Sequence, residues 1–238
     1  MTKDRIVVVE EEAFPDEGAR RIARRMRESV EVHGGCAMAL AGGATPRPVY
    51  ERLAALSTLD ADIWERTEIY FGDERCVPPD DPASNYRMAQ ETLLSRVPVP
   101  ASQVYRMHGE ESDRDSAARA YAHQLPSRLD VLILGMGIDG HTASLFPRTS
   151  ALDERTRAVV PADAPPPAAP VHRLTITPPV IARAQFVIVL VAGADKAPTL
   201  AQVLEGPTDV HAFPVQFARA GLWVVDRSAA SRLRVPPQ

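Results

Sequence analysis

The 238-residue chain lacks several features that would each point to a class of protein. It has only two cysteines, Cys36 and Cys76, which argues against a disulfide framework and gives no spacing typical of a metal site. No apolar run approaches the ~20 residues of a membrane-spanning helix. The N-terminus has four apolar residues followed by acids, which is not the pattern of a signal peptide. We therefore expect a soluble, cytoplasmic protein without a membrane partner.

The chain also lacks a basic excess. Its formal net charge is -4, so no surplus of positive charge is available to neutralise phosphates, and we expect no nucleic-acid partner. Hydrophobic residues make up 45% of the sequence, which is enough for a sizeable core. We expect a single domain over residues 1–238. The proline-rich stretch 161–170 favours an extended connection, so a small lobe or lid is expected around residues 148–172.

Arginines are concentrated on one predicted helix. Apolar residues recur at spacings of three and four between Pro15 and Val30, which predicts an amphipathic helix. Its other face carries Arg20, Arg21, Arg24, Arg25 and Arg27. Such a face either binds an acidic partner or faces solvent, and solvent is the simpler interpretation.

Short apolar runs alternate with helical patterns along the chain. This alternation predicts an α/β fold with a mainly parallel sheet flanked by helices. In such sheets ligands bind beyond the carboxyl ends of the strands. Charged or glycine-rich turns follow four of the predicted strands: Gly42-Gly43, Asp73 to Arg75, Asp139 to His141, and Gly193 to Lys196. Together these turns predict one site at that edge of the sheet.

The turn after the apolar run 131–134 contains Gly135, Gly137 and Gly140, which let the backbone bend sharply and approach a ligand closely. These glycines match the GxGxxG pattern of dinucleotide-binding proteins. That fingerprint also needs a long helix opening at the third glycine, whereas here His141 follows at once and Pro147 ends the stretch. We therefore do not expect a nucleotide at this turn.

A second glycine turn follows the apolar run 36–41. After Gly42 and Gly43, Thr45 and Pro46 are typical of a helix N-cap and of the first helical position. A strand, a glycine turn and a capped helix present backbone N–H groups and the positive end of the helix dipole to an anion. An ordinary strand-to-helix turn has the same pattern, so this stretch alone leaves anion binding open.

Three blocks of sequence together resemble the 6-phosphogluconolactonase family. They are LAGGATP at 40–46, FGDERCVP at 71–78 with Ser84-Asn85-Tyr86, and LGMGIDGHTASLFP at 134–147. The resemblance implies a modified Rossmann-like fold, shared with glucosamine-6-phosphate deaminases and ribose-5-phosphate isomerases. It also implies hydrolysis of 6-phospho-D-glucono-1,5-lactone to 6-phospho-D-gluconate, in the oxidative pentose phosphate pathway and without a cofactor.

Lactone hydrolysis would give these turns chemical roles. Histidine, whose ordinary pKa is ~6.5, suits a base that takes a proton from water near neutral pH. Our hypothesis is that His141 is this base, with either Asp73 or Asp139 orienting its ring. The negative charge that develops on the carbonyl oxygen would be met by backbone N–H groups of the glycine turn, by Arg75, or by both.

The other end of such a substrate is a phosphate, with a charge of about -1.5 to -2 at pH 7. Gly43 and Thr45, with Arg173 and Lys196, are predicted to hold it through N–H groups and charge-assisted hydrogen bonds. The cations Arg173 and Lys196 fall where the resembling family and its relatives contact phosphate. Gly42 and Asn85, also in the resembling blocks, complete the predicted substrate site, and we expect a monomer or weak homo-oligomer.

Two alternative functions compete with this interpretation. A sugar-phosphate isomerase or deaminase of the same fold needs a carboxylate base, for which Asp73 or Glu74 could serve. However, the deaminase pattern resembles DEY and GHIAFN, whereas this chain has DER at 73–75 and GHTAS at 140–144. A non-catalytic sugar-phosphate sensor needs a DNA-binding segment, for which we expect no room before Ile6.

Overall fold

The computed structural model describes residues 5–56 and 59–234. Its main sheet is built from six strands, all in parallel pairings: β1 (Ile6–Val9), β2 (Cys36–Leu40), β3 (Thr67–Phe71), β5 (Val131–Gly135), β8 (Phe186–Val191) and β9 (Leu222–Asp226). The spatial order is β1-β9-β8-β5-β2-β3. The predicted α/β fold with a mainly parallel sheet is confirmed.

Helices pack on both faces of this sheet. They are α1 (Phe14–His33), α2 (Pro46–Ala54), α3 (Ala61–Glu65), α4 (Asn85–Thr92), α5 (Arg114–Gln124), α6 (Pro178–Arg183) and α7 (Ala197–Glu205). Strand β5 illustrates how the sheet is buried on both faces. Val131 and Ile133 belong to one hydrophobic cluster, and Leu132 and Leu134 belong to the other. A continuous apolar run is typical of a parallel strand that is buried on both faces.

A second, antiparallel sheet lies beside the main one. It contains β4 (Asp73–Arg75), β7 (His172–Ile176) and β6 (Val159–Asp163), with β7 in the middle. Two expectations from the sequence are wrong. The charged residues 73–75, interpreted as a turn, form a strand, and residues 161–163 of the predicted connection belong to β6. Pro161 is tolerated because β6 is an edge strand, where the missing N–H breaks no shared ladder.

The segment 148–172 thus contributes a strand to the small sheet. Between β6 and β7 the chain forms a loop, in which Ala164 N–H donates to Val171 O at 2.8 Å and Ala168 N–H donates to Pro165 O at 3.1 Å. Ala168 lines the cleft described below. The suggestion that this segment acts as a lid stays a prediction.

The arginine-rich face of α1 is largely paired within its own helix. Arg21 Nε donates to Glu17 Oε1 at 2.7 Å, and Arg24 lies 3.7 Å from Glu28. The guanidinium of Arg25 lies 4.0 Å from the centre of the Phe186 ring. These contacts agree with a solvated face that also covers apolar surface. None of the helices in the described ranges is long and apolar enough to cross a membrane.

Candidate functional site

A cleft of about 520 Å³ opens at the carboxyl ends of the central strands. Its walls include the turns that follow β2, β5 and β8, as the sequence predicted, together with residues of strands β4 and β7. Nine of the ten predicted site residues line it, namely Gly42, Gly43, Thr45, Asp73, Arg75, Asn85, His141, Arg173 and Lys196. The tenth, Asp139, lies behind His141 and contacts its ring.

The imidazole of His141 is held from behind by Asp139. The Nδ1 atom of His141 lies 2.6 Å from Asp139 Oδ1, and the same oxygen accepts the His141 backbone N–H at 3.1 Å. Partial burial acts to raise the pKa of Asp139, but the hydrogen bonds and charge of His141 outweigh it, so this pKa lies below its ordinary value. Of the two acids that the sequence left open, Asp139 is therefore the one that contacts the imidazole.

The ring of His141 occupies the space that a side chain at position 137 would fill. A Cβ atom at Gly137 would lie 2.1 Å from His141 Nδ1 and 2.7 Å from Asp139 Oδ1, so only glycine leaves room for this pair. On another side, the Phe146 ring lies 4.9 Å from the imidazole, centre to centre. These two contacts restrict the ring to one orientation, with Nε2 away from Asp139.

The turn that carries His141 is fixed by hydrogen bonds from several elements. Lys196 Nζ donates to Met136 O at 2.6 Å, and Thr199 Oγ1 donates to Ile138 O at 2.5 Å. Val215 N–H donates to Gly140 O at 2.9 Å. A turn braced in this way from α7 and from the 214–218 segment is suited to hold a reactive side chain in position.

Three N–H groups of this turn are used within it. Gly137 N–H donates to His141 O at 2.9 Å, and Gly140 N–H donates to Gly137 O at 3.0 Å. The His141 N–H is bound to Asp139. These three N–H groups are therefore not available to meet a charge on a carbonyl oxygen.

Asp73 does not contact His141, as one of the two alternatives from the sequence required, but bonds to Ser144 and Asn85. Its carboxylate is buried, and its two oxygens accept hydrogen bonds from Ser144 Oγ at 2.6 Å and from Asn85 Nδ2 at 3.1 Å. The alternative in which Asp73 orients His141 is thus not the arrangement in the structure. Asp73 instead joins β4 to α4 and to the segment that follows His141.

Glu74 is buried and anchors the start of α4. It accepts backbone N–H groups of Asn85 at 2.7 Å and of Tyr86 at 2.8 Å, and the Ser84 hydroxyl at 3.0 Å. Burial raises the pKa of Glu74, although these hydrogen bonds oppose the rise. With its acceptor oxygens engaged away from the cleft, Glu74 is poorly placed to act as a base on a substrate.

Two arginines form a positively charged wall. Arg75 and Arg173 are directly opposite each other in the β4–β7 pair, and both line the cleft. Burial lowers the pKa of Arg173, and the neighbouring charge of Arg75 adds to this effect. The Nε atoms of both are buried and have no hydrogen-bond partner among the described residues. Since an unpaired buried donor is costly, these guanidinium groups are poised for an anionic ligand.

The turn before α2 offers backbone donors. Gly43 has a φ of 94°, in the left-handed region that glycine adopts without strain. Within the described residues, the N–H groups of Gly43, Ala44 and Thr45 have no backbone acceptor. Thr45 holds the N-cap position and Pro46 is the first residue of α2, as predicted, but the Thr45 hydroxyl makes no capping hydrogen bond. A cap accepts the second or third N–H of a helix, and the third residue of α2 is proline.

Lys196 reaches the cleft from the turn after β8. Its ammonium group donates to Met136 O, and burial lowers its pKa from the ordinary 10.5 while the charges of Asp195 and Asp139 oppose the shift. A partly buried cation with further N–H donors available is suited to an anionic group.

Three contributors to the site were not singled out from the sequence. Ser144 and Phe146 lie three and five residues after His141, inside the block that carried the family resemblance. Thr175 accepts the Ser144 N–H through its hydroxyl at 3.1 Å. For Ser144 and Phe146 the only signal in the sequence was the resemblance of the whole block at 134–147, since no residue pattern shows which of its members face the cleft. No group of three or more metal-binding side chains occurs in residues 5–56 or 59–234.

Comparison with known proteins places this geometry in a family. A family model described as "Glucosamine-6-phosphate isomerases/6-phosphogluconolactonase" matches residues 9–225. The chain belongs to this family. A 6-phosphogluconolactonase of Nostoc sp. is 37% identical, over 94% of this chain and 98% of that protein.

Solved structures of the same family have closely similar folds. The 6-phosphogluconolactonase of Trypanosoma brucei superposes with a TM-score of 0.84 and 29% identity, covering 96% of this chain and 98% of that chain. A glucosamine-6-phosphate deaminase of the NagB superfamily superposes with a TM-score of 0.83 at 23% identity, covering 96% and 99%. The predicted modified Rossmann-like fold is therefore confirmed, and the fold alone does not separate lactonase from deaminase.

Proposed function

We propose that the protein hydrolyses 6-phospho-D-glucono-1,5-lactone to 6-phospho-D-gluconate, the lactonase step of the oxidative pentose phosphate pathway. The observation that carries this proposal is the His141–Asp139 pair at the cleft, in a chain 37% identical to a 6-phosphogluconolactonase over nearly its full length. This arrangement provides one base and several cations, which is what hydrolysis of a phosphorylated lactone requires.

In the first step, His141 activates water. With Nδ1 bonded to Asp139, Nε2 is the nitrogen available to accept a proton. As that proton moves to Nε2, the water oxygen bonds to C1 of the lactone and the carbonyl electrons move onto the carbonyl oxygen. Asp139, whose pKa is lowered, stays ionised near neutral pH and stabilises the imidazolium. A base of this kind contributes roughly 10²–10⁴ in rate.

In the second step, the ring opens. The carbonyl bond re-forms, the bond between C1 and the ring oxygen breaks, and the imidazolium of His141 gives its proton to that oxygen. The net change is addition of one water across the ester bond, so no cofactor or redox partner is consumed. The carboxylic acid product then ionises in water.

The cations divide between the two ends of the substrate. The N–H groups at Gly43 and Thr45, with Arg173 and Lys196, bind the phosphate. Arg75 meets the charge on the carbonyl oxygen, a role supported by its unpaired buried Nε and by its position in the cleft wall. Phosphate binding distant from C1 fixes the ring and brings the lactone carbonyl to His141.

A deaminase or isomerase reaction is less well supported by this geometry. It would require a carboxylate to remove a proton from C2, and the carboxylates of Asp73 and Glu74 are engaged in hydrogen bonds that hold the fold together. Asp139 is engaged with His141.

The proposal is tested by adding freshly generated 6-phosphogluconolactone and following lactone loss against the spontaneous rate. We expect strong acceleration of lactone loss and no release of ammonia from glucosamine 6-phosphate. A protein that leaves the spontaneous rate unchanged would refute the proposed function, and ammonia release would establish the deaminase alternative.

A further inference from the structure

The side-chain amide of Asn85, the first residue of α4, has a fixed orientation. Its Nδ2 atom lies 2.9 Å from the backbone oxygen of Asp73 and 3.1 Å from Asp73 Oδ1, and both of these atoms are acceptors. The nitrogen must therefore face Asp73, because the reversed amide would bring three oxygens together. The opposite end of the amide is thus the oxygen Oδ1.

This oxygen is buried and lacks a donor. Only 3% of Asn85 is exposed, and Oδ1 has no hydrogen-bond partner within the described ranges. Asn85 nevertheless lines the cleft. A buried acceptor without a donor costs free energy, and such atoms in folded proteins call for an explanation.

Gly42 makes the position of this oxygen achievable. A Cβ atom at Gly42 would lie 1.9 Å from Asn85 Oδ1, well inside van der Waals contact. Any side chain there would displace the amide. Gly42, which also lines the cleft, thus leaves room for the Asn85 amide oxygen.

We propose that Asn85 Oδ1 accepts a hydrogen bond from a ring hydroxyl of the bound sugar lactone and so selects for substrates that carry this hydroxyl. This inference rests on the proposed function and goes beyond it by assigning one atom to one chemical class of group. A phosphate dianion offers only acceptors, so Asn85 Oδ1 belongs to the sugar end of the predicted substrate site and not to the phosphate end. Selection by a buried polar atom is strong because a ligand that lacks the donor leaves the atom unpaired.

The test compares three lactones, each lacking one hydroxyl, at C2, C3 or C4 of 6-phosphogluconolactone. In the wild type we expect one of them to lose about 5- to 100-fold in kcat/KM relative to the parent lactone. In Asn85→Ala that same analogue should lose less than about twofold relative to the parent, because the acceptor is gone. Gln90→Ala, on the same helix and outside the cleft, is the control that should keep the wild-type selectivity.

Gly42→Ala provides a second variant, in which the amide is retained but displaced, and it should show the same loss of selectivity as Asn85→Ala. Equal losses for every analogue in the wild type and both variants would overturn the inference, since a purely structural role predicts that outcome. Failure of the proposed function would give a different result, because the wild type would then not accelerate hydrolysis of the parent lactone.

Discussion

The Ser144 hydroxyl donates a 2.6 Å hydrogen bond to Asp73 Oδ2, and both groups are buried. This bond connects the segment after His141 to the first strand of the small sheet. It brings two distant blocks of the chain together beside the cleft, where Asp73 bonds to Ser144 and Asp139 bonds to His141.

Loss of this bond is expected to lower stability more than it changes the chemistry. Ser144→Ala leaves a buried carboxylate oxygen of Asp73 without its donor, and we expect the free energy of unfolding to fall by about 1–3 kcal/mol. Denaturant titration measures this change. Ser112→Ala, at an exposed position, is the matched control. Equal stability of the two variants would show that the bond contributes nothing.

Removal of the charge behind His141 should reduce turnover. Asp139→Asn keeps the size of the side chain but loses the carboxylate that fixes the tautomer and stabilises the imidazolium. We expect kcat to fall by about 10²–10⁴, by analogy with the orienting acid of serine hydrolase triads. The measurement is steady-state hydrolysis of the lactone. Turnover within twofold of the wild type would contradict the role of Asp139.

Gly137 is expected to tolerate no side chain. The added methyl group of Gly137→Ala would lie 2.1 Å from His141 Nδ1 and would push the ring out of position. We expect at least a tenfold loss of kcat from this displacement, because small misplacement of a reacting group is costly. Gly135→Ala is the comparison variant, because no atom lies within 4 Å of its added Cβ. A smaller effect at Gly137 than at Gly135 would reject the packing argument.

Phosphate binding should weaken at alkaline pH. Burial lowers the pKa of Lys196, so its positive charge is lost at a lower pH than that of an ordinary lysine. Affinity for the stable product 6-phosphogluconate, measured by calorimetry, should therefore decrease as the pH rises toward 10.5. Lys196→Arg should move this decrease to higher pH, and Lys196→Met should weaken binding at neutral pH. An affinity that Lys196→Met leaves unchanged would remove Lys196 from the phosphate site.

The sequence predicted the main sheet well, because buried parallel strands such as β5 and β8 appear as continuous apolar runs. It also brought the predicted turns to one cleft, since carboxyl ends of parallel strands meet at one edge. Strand β4 was missed because Asp73, Glu74 and Arg75 have no strand-like pattern. The burial of Asp73 and Glu74 depends on partners in α4 and near Ser144, which only the folded chain brings together.

For a similar reason, the sequence could not show whether Asp73 or Asp139 contacts the ring of His141. Contact between Asp139 and His141 depends on how the turn bends, including a φ of 83° at Gly140. Residue spacing does not determine that bend. The missing cap hydrogen bond at Thr45 is different, because Pro48 was visible in the sequence and removes one of the two N–H groups that a cap could bind.

The most direct test of the whole account is the rate of lactone hydrolysis by His141→Ala beside the wild type, with the spontaneous rate subtracted. Both proteins are compared at saturating 6-phosphogluconolactone and near-neutral pH, with binding of 6-phosphogluconate measured to verify that the cleft is intact. We predict that kcat falls by about 10²–10⁴ while product binding is largely retained. Near-normal turnover by His141→Ala would contradict the assignment of His141 as the base that activates water.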